Sequence, residues 1–231
     1  MKSVTTKNTI LAILLGTSIS ATAQDSDSTS MRPTFTVSYN GEIQTDFKKS
    51  RQLNLLELGA ELPISRNVSL NVATVSFATT HEEPLIEDLQ GFSNIDSEKV
   101  VLALSVAGVT WRINDHHTLF GGIRRIDEDY FCSDAIALFT NSSCGGFPTI
   151  TANYDVAAYP NASLGVHYAY ENDNLTVQTS LYNGTGHNRF TGRDNIFRIC
   201  PTSDGVMALG QVEYRHKDSH YYLGASMHHD D

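Results

Sequence analysis

Long apolar runs, a disulfide framework and an excess of positive charge are all missing from this 231-residue chain. Beyond its first two dozen residues no apolar stretch approaches the roughly 20 residues that a membrane-spanning helix needs. With a mean hydropathy of −0.23, that excludes a bundle of membrane-spanning helices. Three cysteines cannot form a complete disulfide framework. Lys plus Arg is 16 against 26 Asp plus Glu, a formal charge of −10. Phosphate contacts need clustered cations, so no nucleic-acid partner is expected. No G-x-S-x-G or comparable nucleophile motif occurs, and nothing points to an enzyme or a cofactor. Charged residues make up only 18% of a chain that holds 10 Tyr, 10 Phe and 16 Gly. Soluble β domains and outer-membrane barrels share such a composition.

The amino terminus separates these classes in part. Lys2 and Lys7 form a positive n-region, Ile10 to Ile19 is a short apolar core, and Ala21-Thr22-Ala23 is an A-x-A cleavage signal. Residues 1–23 are therefore expected to be a signal peptide, followed by a polar leader over 24–33 and a β domain over 34–231.

Period-2 alternation, the signature of a half-buried strand, then recurs. Leu56, Leu58, Ala60 and Leu62 alternate with Glu57, Gly59 and Glu61. Val68, Leu70 and Val72 alternate with Ser69, Asn71 and Ala73, while Val100 to Arg112 is almost wholly apolar. The pattern sharpens downstream. Leu164, Val166, Tyr168 and Tyr170 oppose Ser163, Gly165, His167 and Glu171; Leu175, Val177 and Leu181 oppose Thr176, Gln178, Ser180 and Tyr182. Val206, Ala208, Val212 and Tyr214 oppose Gln211, Glu213 and Arg215; Tyr221, Leu223, Ala225 and Met227 oppose His220, Ser226 and His228. The runs are near the ~9–11 residues of a tilted bilayer-crossing strand and longer than the ~5–6 of an ordinary one. Strand length, export signal and tyrosines near strand ends together predict an all-β, antiparallel transmembrane barrel. About 9–10 strands are countable. Trp111 is expected in an aromatic girdle.

Residues 127–160 break the alternation with Asp127-Glu128-Asp129, a short helical stretch near Ser133 to Phe139, and Pro148 and Pro160. In a barrel, so long an aperiodic segment reads as a loop folded into the lumen or an extracellular loop.

Asp88-Leu89-Gln90-Gly91-Phe92-Ser93-Asn94-Ile95, Glu128-Asp129-Tyr130-Phe131 and Leu138-Phe139-Thr140-Asn141-Ser142-Ser143-Cys144-Gly145 resemble the OprB-type carbohydrate-selective porins. Tyr159-Pro160, Ser180-Leu181-Tyr182-Asn183-Gly184 and Asp204-Gly205 follow in the order that the family shows. The resemblance implies an outer-membrane barrel of about 16 antiparallel strands with an inward-folded constriction. It further implies passive diffusion of mono- or oligosaccharides, with outer-membrane lipid around the wall. The sequence ends at His228-His229-Asp230-Asp231, short of the family's length and without a terminal aromatic strand. A truncated porin, a small barrel, or a half-barrel completed by another chain all fit this.

A sugar offers hydroxyls and apolar C–H faces, so charged, amide and aromatic side chains suit the narrowest point. Arg124, Arg125, Asp127, Glu128 and Asp129 are the candidates for the constriction. If the strand runs on regularly, only one of the two adjacent arginines can face the lumen. The polar-face residues Glu57, Glu61, His167, Gln178, Tyr182, Gln211, Glu213 and Arg215 are expected to line a hydrated lumen. Cys132 and Cys144 lie in one loop and can close a disulfide after export. The acidic triplet lacks the Gly-centred loop and distal Glu of a calcium motif. His116-His117 and His228-His229 point to opposite faces of a regular strand, so no metal is assigned.

Overall fold

A computed structural model describes residues 15–23, 31–85, 92–130, 139–141, 144, 148–151 and 154–229. The strands are β1 (Leu15–Ala23), β2 (Thr34–Thr45), β3 (Ser50–Ser65), β4 (Val68–Thr79), β5 (Val100–Asn114), β6 (His117–Arg124), β7 (Ser163–Glu171) and β8 (Leu175–Asn183). They are followed by β9 (Phe190–Thr191), β10 (Asp194–Asn195), β11 (Val206–His216) and β12 (Ser219–His229). Ten of them form one antiparallel sheet in chain order, and β9 and β10 make a separate small hairpin. Among the described residues no helix is long and apolar enough to cross a membrane.

The connections sort themselves to two ends. At one, tight turns join β3 to β4, β5 to β6, β7 to β8 and β11 to β12. Asn side chains place their oxygens against the backbone there. Asn172 Oδ1 accepts the amides of Asn174 at 3.0 Å and Leu175 at 2.8 Å, and Asn114 Oδ1 accepts that of His116 at 2.9 Å. At the other end a four-residue turn joins β2 to β3, and the connections after β4, β6 and β8 are long. Short turns on one side and long loops on the other are the habit of outer-membrane barrels.

The sheet has two unlike faces, and the register shows which residues share each. Val109 pairs with Gly121, Val166 with Leu181, Val212 with Leu223 and Tyr214 with Tyr221. These rows, with Leu58 and Trp111, lie on a bare face, where the large residues named here are 40–77% exposed. Trp111 is thus not a core residue. From Val101 to Trp111 the strand covers about 33 Å, or roughly 25 Å of height at ~40° tilt, the height of a barrel's apolar band.

The loops after β4 and β6 fold onto the opposite, inner face. Leu53, Leu55, Val75, Phe77, Ile95, Val100 and Ala103 form one buried cluster there. Ile126, Tyr130, Ile150, Val156, Ala157, Tyr182, Met207 and Leu209 form another. The loop after β4 is latched by Arg51, which is buried and donates from Nε to the His81 carbonyl at 2.6 Å and from Nη2 to Asp96 Oδ1 at 2.8 Å. Beside it, Ser93 Oγ donates to Glu42 Oε1 at 3.0 Å. In β5 the register against β4 skips from Val106 to Leu104, so Ser105 is a bulge. That bulge explains why the apolar run of Val100 to Arg112 shows no clean alternation. Ser133 to Leu138 of the expected helical stretch, Cys132, and residues 1–14 and 24–30 lie outside the described residues.

The loop after β8 is anchored on the buried carboxylate of Asp204. Asn183 Nδ2 donates to it at 3.1 Å, Ser203 Oγ at 2.8 Å, and Arg198 Nη2 lies 3.1 Å away. Burial pushes this carboxyl up, but the hydrogen bonds of Ser203 and Asn183 and the charge of Arg198 outweigh it and hold its pKa below the ordinary value. A depressed carboxyl pKa adds stability above the unfolded value, which is lost as pH falls through the folded one. Acid is therefore expected to loosen this loop before the sheet. Asp204→Asn should reproduce that at neutral pH, read as faster proteolysis between residues 184 and 205 with an unchanged strand signal in circular dichroism.

Candidate functional site

The inner-face charges gather where β6 ends. Gly108 and Gly165 leave room for rings from the neighbouring strands: a β-carbon at Gly108 would strike Phe120, and one at Gly165 would strike Tyr182. The Phe120 ring in turn carries the Arg124 guanidinium at 5.1 Å. Arg124 closes on Asp129 through two bonds, Nε to Oδ2 at 2.6 Å and Nη2 to Oδ1.

Arg125 is the centre of the group. Its Nη2 is 2.7 Å from Glu128 Oε1 and 3.3 Å from Glu57 Oε1, and its Nε is 3.8 Å from Asp127 Oδ2. The Tyr159 ring lies 5.9 Å from its guanidinium carbon. Both arginines thus serve one cluster, contrary to the expectation that only one could face inward. The reason is local: β6 stops at Arg124, Arg125 is extended (φ −97°, ψ 146°), and a 3-10 turn over Ile126–Glu128 reverses the chain. The turn is held by Ile126 N donating to the Ala157 carbonyl at 2.7 Å, and Asp127 Oδ1 accepts the Tyr159 amide at 3.2 Å.

Burial works against the charge on Arg125, yet Asp127, Glu128 and Glu57 raise its pKa further and keep it a cation. Glu128 is pushed up by burial, only partly offset by Arg125. Burial pushes the Tyr130 phenol up to about 12 and also raises Tyr159, so both stay neutral, with the Tyr159 hydroxyl donating to the Ile95 carbonyl at 3.0 Å. Two cations and four carboxylates beside neutral phenols make a polar, hydrogen-bonding rim.

A second arrangement adjoins it. His167 Nδ1 is 2.7 Å from Ser180 Oγ and 3.8 Å from Asp129 Oδ2, and Tyr130 OH is 2.6 Å from the same Ser180 oxygen. Serine, histidine and aspartate meet here, but both oxygens approach the same ring nitrogen. A relay needs them on opposite nitrogens, so this is not a nucleophile–base–acid chain.

The other expected lumen residues are dispersed. Glu61 pairs with Arg112 at 3.3 Å, Gln211 Nε2 donates to Gln178 Oε1 at 3.5 Å, and Arg215 sits 3.4 Å from both Glu213 and Glu171. Tyr182 departs from the expectation of a hydrated lumen residue, because the loop after β6 covers it and leaves it 2% exposed. Cys144 is a free thiol, and its expected partner Cys132 lies outside the described residues. No group of His, Cys, Asp or Glu among the described residues is arranged to hold a metal. Tyr130, Tyr159 and Ser180, present in the sequence motifs but not among its site candidates, join the site. Only the pairing register and the loop path bring them in.

The sheet has the fold of part of a porin-like β-barrel. The solved structure described as the high-pH structure of Pseudomonas putida OprB matches with a TM-score of 0.65 at 16% identity. The match covers 83% of this chain and 51% of that one, so this chain spans about half of that porin's length. No family model and no curated relative matches the sequence. The fold is OprB-like, read from structure rather than from sequence identity.

Removing one partner of a buried, multiply paired charge costs about 3–5 kcal/mol, because the others are left uncompensated. Arg125→Ala should therefore destabilise the chain strongly, while Arg112→Ala, in an exposed pair, should cost below about 1 kcal/mol. Urea unfolding in detergent micelles measures both. Gly165→Val should cost about 2 kcal/mol by overpacking against Tyr182, read in the same assay.

Proposed function

We propose that this chain forms part of the wall and the constriction of an outer-membrane porin that passes saccharides by passive diffusion. The observation that carries this reading is the Arg124–Arg125 cluster with its carboxylates, held by an inward loop on the inner face of an OprB-like sheet. No chemical step is involved. Weak, exchangeable hydrogen bonds from the fixed charges would hold a sugar briefly, and the wall around them would exclude larger solutes. The lumen-facing roles of Glu57, Glu61, His167, Gln178, Gln211, Glu213 and Arg215 belong to this proposal, as do the export signal over residues 1–23 and the outer-membrane location.

The sheet is open, which favours a second reading, of a fragment that does not conduct alone. Its edges are β1 and β12, and among the described residues no ladder joins them. If β1 leaves with the export signal, β2 becomes the edge. Both β2 and β12 then run from the short-turn end to the long-loop end. Strands that complete an antiparallel barrel must start and finish in the opposite sense, so their number is odd. A second copy in the same orientation, starting with β2, would meet β12 in parallel and does not satisfy this.

Single-channel recording on the refolded 231-residue chain in a planar bilayer tests the reading. Stepwise openings that maltose or glucose blocks, and that Glu57→Gln or Asp127→Asn alters, are the expected result. Silence from chain shown to be inserted would reject autonomous conduction and favour the fragment.

A further inference from the structure

The loop after β8 carries a feature that the pore does not use. Its β9–β10 hairpin lies against the bare face of the sheet, not the inner one. Ile196 is fully buried against Ile123 and Ala162, with Leu104, Ala107 and Leu164 packed around them. Ala107 pairs with Ile123 and Ile123 with Leu164 in the register, so this patch shares the face of Val109, Trp111 and Val166. The hairpin is closed by Ile196 N donating to the Arg189 carbonyl at 2.9 Å. Its base is pinned by the paired backbones of His187 and Ala162. Asn188 Nδ2 also reaches Glu98 at 3.2 Å, tying it to the loop before β5.

With Ile196 spent on the wall, the rest of the hairpin points away from it. Phe190, Phe197 and Ile199 are 50%, 56% and 68% exposed, with the two phenylalanine rings 6.0 Å apart. Arg189 and Arg193 are exposed among them. Arg189 leans on Asp194 at 3.4 Å, which neutralises only part of the local charge. In a chain of net charge −10, exposed aromatic side chains and arginines share one short hairpin at the long-loop rim.

We propose that this hairpin is a lipid-docking element: its rings and Ile199 enter the acyl boundary while Arg189 and Arg193 bind the phosphates of an outer-leaflet glycolipid. The inference rests on the porin reading, which puts the bare face in the bilayer and the long-loop rim in the outer leaflet. Continuity with the apolar belt argues for lipid, because the hairpin sits on the face that the fold turns to hydrocarbon. Arg beside aromatic residues at that level suits an anionic interface, since the guanidinium forks match phosphate oxygens while the rings occupy the boundary.

The test uses the full chain refolded into phosphatidylcholine vesicles with and without lipid A. Insertion is read first, by flotation after a urea wash. Tryptic cleavage after Arg189 is then timed. Lipid A is expected to slow that cleavage. Arg193→Gln should weaken the protection about fivefold, as a surface cation is worth about 1 kcal/mol at an anionic membrane. Phe190→Ser with Phe197→Ser should remove it while insertion stays intact. Equal cleavage of inserted chain in both vesicles would overturn the proposal. So would protection that ignores lipid A and grows with protein density, which would mark the hairpin as a contact between copies. Failure to insert in either vesicle would reject the porin reading itself, and the proposal with it, before any protease is added.

Discussion

A backbone in hydrocarbon has no water to bond, so each N–H and C=O must find a partner in the protein. Under the proposed porin reading, the arrangement of this molecule follows from that constraint. The ladders from β1 through β8 to β11 and β12 pair the strands in chain order, with no crossover. Turns and long loops are left at the two ends, where polar backbone is tolerated. Among the described residues no ladder closes the sheet between β12 and β1. An unpaired strand edge is costly in lipid in a way that it is not in water.

The two faces divide the remaining work. Apolar residues on the bare face need only be large and uncharged. The inner face must bury two long loops and still hold charge, and it does so by pairing almost every buried ion more than once. Arg51 binds two carbonyls and a carboxylate, and Arg125 stands among three carboxylates. Such clusters fix the loops' paths more than they add net stability, since desolvation offsets much of the attraction.

The strands with strict alternation were legible in the sequence. β3, β7, β8, β11 and β12 were read with the correct residues on each face, because period 2 follows directly from the pleat. β2 and β6 were not singled out. In β2 the buried side includes Glu42 and Gln44, which look like surface residues until a loop covers them. In β6 Gly121 and Gly122 interrupt the apolar signal. Of the site, Arg124, Arg125 and the acidic triplet were visible as charges where a strand gives way to a loop. Their contact with Glu57, 68 positions away from Arg125, was not, because it depends on strand pairing and on the loop's return. Tyr182 shows the limit of face assignment: alternation gives the face, but not whether a loop covers it.

The account rests on these strands crossing a bilayer. Polarised infrared absorption of the reconstituted chain in oriented membranes measures this directly. The account predicts an amide dichroism corresponding to strands tilted about 35–45° from the membrane normal. An isotropic signal, or strands lying flat on the surface, would contradict it.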